Sequence, residues 1–282
     1  MSVVIPALNA ADTIGIQLEA LARQDWSGDW GVLVVDNGST DDTVQRCQSL
    51  VNQLPSLRVV TCEQPGTSAA RNLGAAATSA DILLFCDADD EVGAGWISAM
   101  VAGLDSSDAV GGRIENDRLN RDRPAYMPRH PDGLPVVAGF LPRALTANLG
   151  TWRTVFETVG GFNIEYDYGS DDTEFSWRLQ LAGFSLTYAP DAVVHYRHRS
   201  TLRSVAVKAY RTSQSRGRLF REYGPRGMPQ PRVLGAVLRW ARLAVSAPVV
   251  PFSPQLRWWW VEQCAVAAGR VRGSIAFGVR YL

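Results

Sequence analysis

The apolar positions of residues 1–104 fall into short continuous runs separated by stretches of helical period. Residues 2–7 form one such run, the pattern of a strand covered on both faces. Ile14, Leu18 and Leu21 then recur at helical spacing. Runs at 32–36, 57–62 and 82–86 predict three further strands. The intervening helices are predicted from a Val44, Cys47 and Val51 face, from an Ala-rich stretch that Gly66 opens and that runs to Ala77, and from 96–104. Strand and helix alternating with short loops predict an α/β fold with a mostly parallel sheet and right-handed crossovers.

Beyond Ala109 the pattern loosens. Residues 112–135 are rich in Arg, Asp, Asn and Pro and predict a long mobile loop over the site. Residues 171–182 predict an amphipathic helix with Phe175, Leu179 and Ala182 on one face and Ser170 as N-cap. A strand is expected near 192–196. Three helical patterns follow at 202–223, 233–246 and 255–270, punctuated by Gly and Pro at 224–231 and 248–254. No apolar run is expected to reach the length of a membrane span; 243–252 comes nearest and contains two prolines. No basic segment precedes the first strand, so a secretory signal is not expected.

Composition adds three constraints. A chain of 282 residues, 46% hydrophobic with nine Trp, can build one large domain or a domain plus an extension. Its four cysteines, Cys47, Cys62, Cys86 and Cys264, are scattered, which predicts reduced core thiols of a cytoplasmic protein rather than a disulfide framework or zinc site. The net charge of zero conceals a division. Of 28 basic and 28 acidic residues, 16 basic and two acidic lie in 197–282, leaving 12 basic and 26 acidic before them. The two parts therefore face different partners.

The chemistry is densest at ILLFCDADD, residues 82–90, where a buried strand ends in carboxylates. Open α/β sheets bind ligands at that carboxyl edge. Asp87 and Asp89 repel one another unless a cation holds them, and oxygen ligands suit Mg²⁺ or Mn²⁺. Asp is also an ordinary turn residue, so the pair gains weight only from what joins it.

Several blocks do join it: SVVIPALN (2–9), VVDNGSTDDT (34–43), ARNLG (70–74), DAD (87–89), GGF (160–162) and DDTE (171–174). In this order they resemble the inverting family-2 nucleotide-sugar glycosyltransferases of GT-A fold, over roughly residues 1–200. The resemblance implies a catalytic domain at 1–200 followed by a basic, Trp-containing helical extension at 201–282. It also implies transfer of a sugar from a nucleoside-diphosphate donor, a UDP-sugar in the first instance, to an acceptor hydroxyl with a divalent metal, in cell-envelope polysaccharide or glycolipid synthesis.

The same resemblance assigns roles by position. Pro6, Ala7, Asn9, Asp36, Arg71, Asp87, Asp89 and Arg199 fall on the donor side. Asp89 and His195 are the expected metal ligands, and Asp172 the general base. Trp152 and Asp171 fall on the acceptor side. Two Asp at a helix start also serve the helix dipole, which lowers their basicity, so Asp172 needs neighbouring negative charge and exclusion of water. Leu8 and Asn37 depart from the family pattern beside the base.

The extension combines Arg with Leu, Val and Trp258, Trp259 and Trp260. That composition suits an anionic membrane surface holding a lipid-linked acceptor, or a bundle packed on the catalytic domain. Nucleic acid is not an expected partner, since the acidic half repels it and no reading motif is present. Three rivals are weaker. A sugar-phosphate nucleotidyltransferase needs a basic Gly-rich loop where this chain has ALNAA, a haloacid-dehalogenase-like phosphatase carries its acidic pair after an early strand, and a dinucleotide dehydrogenase needs a GxGxxG. A non-catalytic sugar-nucleotide-binding scaffold is the alternative from another class.

Overall fold

The computed structural model describes residues 1–121, 129–166 and 169–282. β1 (Ser2–Ala7), β2 (Gly31–Asp36), β3 (Leu57–Thr61) and β4 (Ile82–Cys86) lie within a residue of the apolar runs that predict them. β1 pairs with β2 and β4, β3 lies outside β2, and all four strands are parallel. Helices α1 (Ile14–Ala22), α2 (Thr43–Gln48) and α3 (Thr67–Ala76) connect them. Ile14, Leu18 and Leu21 of α1 are almost wholly buried, each worth about 1.5–3 kcal/mol. In α2 the predicted face is corrected. Cys47 is buried, but Val51 starts a separate turn and is exposed, and Leu50 closes the core in its place. Gly74 lets α3 lie on the sheet, since a Cβ there would stand 2.4 Å from Val4 Cγ1.

The short β5 (Glu91–Val92) and helix α4 (Trp96–Leu104) follow. The second half of the sheet then departs from expectation. Residues 112–115, expected in a loop, complete β6 (Ala109–Glu115), a buried central strand; residues 122–128 of that expected loop lie outside the described residues. β7 (Val136–Val137) and β8 (Leu141–Pro142) form a small separate ribbon. β9 (Asn148–Trp152), which no periodicity signalled, runs antiparallel between β4 and β6. After α5 (Arg153–Thr158) and α6 (Asp171–Leu181) comes β10 (Leu186–His195), longer than predicted, parallel to β6 and antiparallel to β5. The main sheet thus has eight strands in the order β3-β2-β1-β4-β9-β6-β10-β5.

The helix α6 begins at Asp171 as predicted, but Ser170 does not cap it. Ser170 takes a left-handed φ of 67°, and its hydroxyl pairs with that of Ser215 at 2.7 Å. Ser215 belongs to α7 (Leu202–Tyr223), which the capping box of Thr201 and Ser204 starts. A separate core of Tyr166, Trp177, Leu219, Tyr223, Met228 and Tyr281 fastens α7 to α6. Glu174, buried on α6, accepts from Arg178 and from the Tyr223 hydroxyl, so α7 is held against the sheet domain by packing and by polar bonds.

α8 (Val233–Ser246) and α9 (Pro254–Phe277) complete the chain. α9 crosses α7 closely, because a Cβ on Gly269 would stand 2.3 Å from the Tyr210 carbonyl and one on Gly273 would stand 2.4 Å from that of Gln214. One expectation is overturned here. α8 continues through a 3₁₀ segment, and Val233–Phe252, 20 residues, is long and apolar enough to cross a membrane by length and composition. The prolines at 248 and 251 are absorbed in the 3₁₀ segment instead of ending the run. All four cysteines are free thiols.

Candidate active site

Each strand delivers its last residues to the carboxyl edge of the sheet. Ala7 ends β1, Asp36 ends β2, and Asp87 follows Cys86 at the end of β4. The acidic loop after β4 is pinned from beneath. Gln17 of α1, fully buried, donates to the Asp87 carbonyl at 3.2 Å and accepts from the Val92 amide at 2.8 Å. Arg197 donates from its backbone N–H to Asp90 Oδ1 at 2.7 Å and from its side chain to the Asp89 carbonyl at 2.8 Å. Carboxylate oxygens of Asp87, Asp89 and Asp90 consequently lie within 4.8 Å of one another.

Such crowding is costly without a cation. Burial and then the Asp87 charge raise the Asp89 carboxyl above its ordinary value, against the opposing Arg199. Asp90 is raised further by burial and by both neighbours, and its buried Oδ2 has no hydrogen-bond partner. Three oxygen donors and an orphaned carboxylate oxygen fit a divalent ion.

Arg71 joins the two halves of the site. It is 3% exposed, and its guanidinium donates to Asp87 at 2.7 Å and to Asp171 at 2.9 Å. That bidentate geometry is specific to Arg. Burial raises the Asp171 carboxyl, Arg71 pulls it back and Asp172 adds to the rise, leaving it at about 6. Asp172 accepts at Oδ1 from the Thr173 amide and hydroxyl, and at Oδ2 from Arg143. Arg71, Asp87, Asp171, Asp172 and Arg199 all line one cavity of about 710 Å³, whose opposite wall is the basic face of α7. Arg199 stands 3.7 Å from Asp89.

Pro6, Ala7, Asn9 and Asp36 lie at the same sheet edge, but none of them lines this cavity. β1 separates β2 from β4, which puts Asp36 about 10 Å from the acidic loop by strand spacing. Asp36 accepts from the Ser39 amide, and Asn9, at a φ of 51°, accepts from the Thr40 amide. Asn37 donates to the carbonyls of Cys62 and Gln64 and accepts from the Gly66 amide. A carboxylate could not make those two donations, which gives the departure at Asn37 a structural reason.

Two expected residues make other contacts. The His195 ring bonds Glu115 at 2.7 Å and is not among the clustered carboxylates; with the Asp117 and Arg118 amides, this contact holds Glu115 below its ordinary value despite burial. Trp152 pairs with Ile82, at the start of β4, whereas Asp87 follows its end. Its indole donates to the Leu104 and Ser107 carbonyls, so this ring is core at the opposite edge of the sheet, a correction to its acceptor-side placement. Sequence reasoning missed Gln17, Arg143, Arg197 and Lys208. None carries a local motif, and their roles depend on partners 29 to 108 positions away in the chain for the first three.

The motif blocks prove to be partners of one another. Asn72 exchanges two hydrogen bonds with the Phe162 backbone, and Arg178 donates to the Gly161 carbonyl. Clustered carboxylates beside a cavity at the carboxyl edge of such a sheet stand where open α/β folds bind their ligands. The Glycosyl transferase family 2 model matches residues 2–163, and the chain belongs to that family. The glycosyltransferase AglE of Haloferax volcanii is 32% identical over 199 residues, 68% of this chain and 65% of AglE. The succinoglycan biosynthesis protein ExoM of Rhizobium meliloti is 27% identical over 68% of this chain and 65% of its own length. The chain thus spans just under two thirds of these relatives.

Among solved structures, mannosyltransferase PcManGT from Pyrobaculum calidifontis, in complex with GDP-Man and Mn²⁺, superposes with a TM-score of 0.68 at 21% identity. The match covers 96% of this chain and 86% of that one. S. aureus TarS 1–349 in complex with UDP gives 0.57 at 19% identity, over 100% and 92%. These likenesses establish the GT-A fold.

Proposed function

We propose that this chain is an inverting glycosyltransferase that moves a sugar from a nucleoside-diphosphate sugar, UDP foremost, to an acceptor hydroxyl. The observation that carries the reading is the convergence of Asp87, Asp171 and Asp172, bridged by Arg71, on one cavity walled by cations. Asp89, with Asp87 and Asp90, would hold Mg²⁺ or Mn²⁺, which supplies neutralising charge for the departing diphosphate. Arg199 and Lys208 face the same space and add positive charge there. Asp172 takes the proton of the acceptor hydroxyl as it attacks from the face opposite the leaving group, so an α-linked donor yields a β product. A thermal-shift panel of UDP-, GDP- and dTDP-sugars with Mn²⁺ tests it. At a donor concentration of 100 Kd the melting point is expected to rise by roughly 5–10 °C, most for the UDP-sugar and only with the metal. No rise with any donor would end the proposal.

The catalytic domain and the extension act together in this reading, with the acceptor on a cytoplasmic membrane surface and the work in cell-envelope polysaccharide or glycolipid synthesis. Leu234, Leu238, Val245 and Phe252 of the 233–252 run are 60–84% exposed. Arg239 and Arg242 interrupt that run, and each Arg at a bilayer centre costs about 2.5–3.5 kcal/mol. Lying in the interface, with Arg on anionic headgroups, avoids that cost. The protein is expected to sediment with vesicles of 30% phosphatidylserine at low salt, to stay in solution with pure phosphatidylcholine, and to lose binding in a Leu234→Ser, Leu238→Ser, Phe252→Ser variant. Remaining in the supernatant with both vesicles, or resisting carbonate extraction, would refute a peripheral attachment.

A further inference from the structure

Beyond the reaction cavity lies a second chamber of about 480 Å³. Segment 129–138 forms one side, α7 another, and Trp258, Glu262 and Val266 of α9 the third. Arg143, Arg199, Lys208 and Arg216 line both spaces, so the two adjoin. None of Asp87, Asp89, Asp171 or Asp172 lines the second chamber. A group bound there sits away from the donor's metal and reaches the reaction through Arg143, the partner of Asp172.

The charges of this chamber are one-sided. Arg129, Arg143, Arg199, Lys208 and Arg216 face one carboxylate, Glu262. Several cations have partial occupation: Arg129 bonds Asp117, Lys208 donates to the Tyr196 hydroxyl, and Arg143 holds Asp172. Arg216 has no ion-pair or hydrogen-bond partner among the described residues. It has like-charged company: after burial, Arg216 is among the charges that hold Arg239 and Arg270 below the ordinary guanidinium value, Arg270 at about 10. Burial raises the Glu262 carboxyl above its ordinary value, against the opposing Lys208. A half-buried guanidinium among like charges is stabilised by a multivalent anion, and Arg suits a phosphate's oxygens in particular. Val136, Val137, Val205, Ala209 and Trp258 give the same chamber an apolar wall.

We propose that this chamber binds a phosphate group of the acceptor, so that the acceptor is a phosphorylated glycan or glycolipid and not a neutral saccharide. The inference rests on the glycosyltransferase reading and deepens it. The phosphate competes with Asp172 for Arg143, so that arrival of the acceptor uncovers the base. An idle enzyme keeps Asp172 paired, which restrains transfer of the sugar to water.

The test is calorimetry on the full chain saturated with UDP and Mn²⁺, which occupies the donor's own phosphate site. Inorganic phosphate, octyl phosphate and octyl β-glucoside are titrated in turn. The phosphates are expected to bind at least ~10-fold more tightly than the glucoside, and Arg216→Gln to weaken them ~10-fold, as loss of a charge-assisted bond does. Octyl phosphate exceeding inorganic phosphate points to a lipid-borne source; equality points to a soluble one. Arg143→Gln is expected to raise donor hydrolysis in the absence of phosphate and to remove its further acceleration by phosphate. Equal affinities for octyl phosphate and octyl glucoside, or an Arg216→Gln variant that binds phosphate normally, would overturn the inference. UDP binding retained in that case leaves the glycosyltransferase reading standing, whereas loss of UDP binding in the wild type would defeat that reading itself.

Discussion

Asp172→Asn is expected to lower sugar transfer by about 10²–10⁴, the span of general-base catalysis, with donor affinity unchanged. The substitution keeps the side chain's size, and its amide oxygen can still accept from the Thr173 amide and hydroxyl, which fix Oδ1 in the wild type. What is lost is a group able to take a proton, together with the ion pair to Arg143. Asp171 makes the informative comparison. It lies one position earlier at the same helix start, but its carboxylate is committed to Arg71, so Asp171→Asn would loosen Arg71 and disturb the donor side through Asp87. Transfer and donor binding should therefore fall together in Asp171→Asn, whereas in Asp172→Asn transfer falls alone. Steady-state rates with donor dissociation constants for both variants check this. Near-normal turnover in Asp172→Asn would remove it from the role.

In the proposed mechanism the acceptor's phosphate displaces Arg143 from Asp172, which leaves that carboxylate free to meet the acceptor hydroxyl. The neighbouring Asp171 carboxyl is pushed up to about 6 by burial, against the opposing Arg71.

The parallel half of the fold was legible because each of its strands is a continuous apolar run that ends in a distinctive residue, such as Asp36 or Asp87. β9 was not, because NLGTW carries neither alternation nor an apolar run. It is a strand because β4 and β6 bury it on both sides and because Asn148 spans the edge, accepting from the Trp96 indole and donating to the Arg113 and Ala192 carbonyls. β6 was half-missed for a similar reason: from Gly112 onward it carries no apolar run. Around the cavity, Arg71, Asp87, Asp171 and Asp172 carry a local signature, whereas other lining residues take their meaning from a distant partner. Arg143 is an isolated Arg until α6 brings Asp172 to it. Trp152 was misplaced because an aromatic ring beside a motif block looks the same in sequence whether it stacks on a sugar or fills a core. The helical extension was read correctly in its periodicity, but which face of α7 would line a cavity depends on Tyr166, Trp177 and Tyr223, and no pattern announces that docking.

Asp89→Asn is expected to lower kcat/KM by roughly 10³, since metal neutralisation of transferring charge is worth several kcal/mol, and to abolish the dependence of donor binding on Mn²⁺. The same substitution should act oppositely on the metal-free fold. Burial and the Asp87 charge hold the Asp89 carboxyl above its ordinary value, and Asp89 in turn helps raise Asp90. A carboxyl whose folded value is raised favours the folded state while protonated and loses that advantage as pH rises past its unfolded value near 4. At pH 7 the raised Asp89 and Asp90 carboxyls therefore oppose folding, and removing one charge relieves it. The variant should melt above the wild type in EDTA, whereas added Mn²⁺ should lift the wild type and leave the variant where it was. Melting curves of both proteins in EDTA and in Mn²⁺ at pH 7 give the answer. A variant that melts below the wild type in EDTA, or that gains as much from Mn²⁺ as the wild type does, would show that these carboxylates are ordinary turn residues and that the ion is held elsewhere.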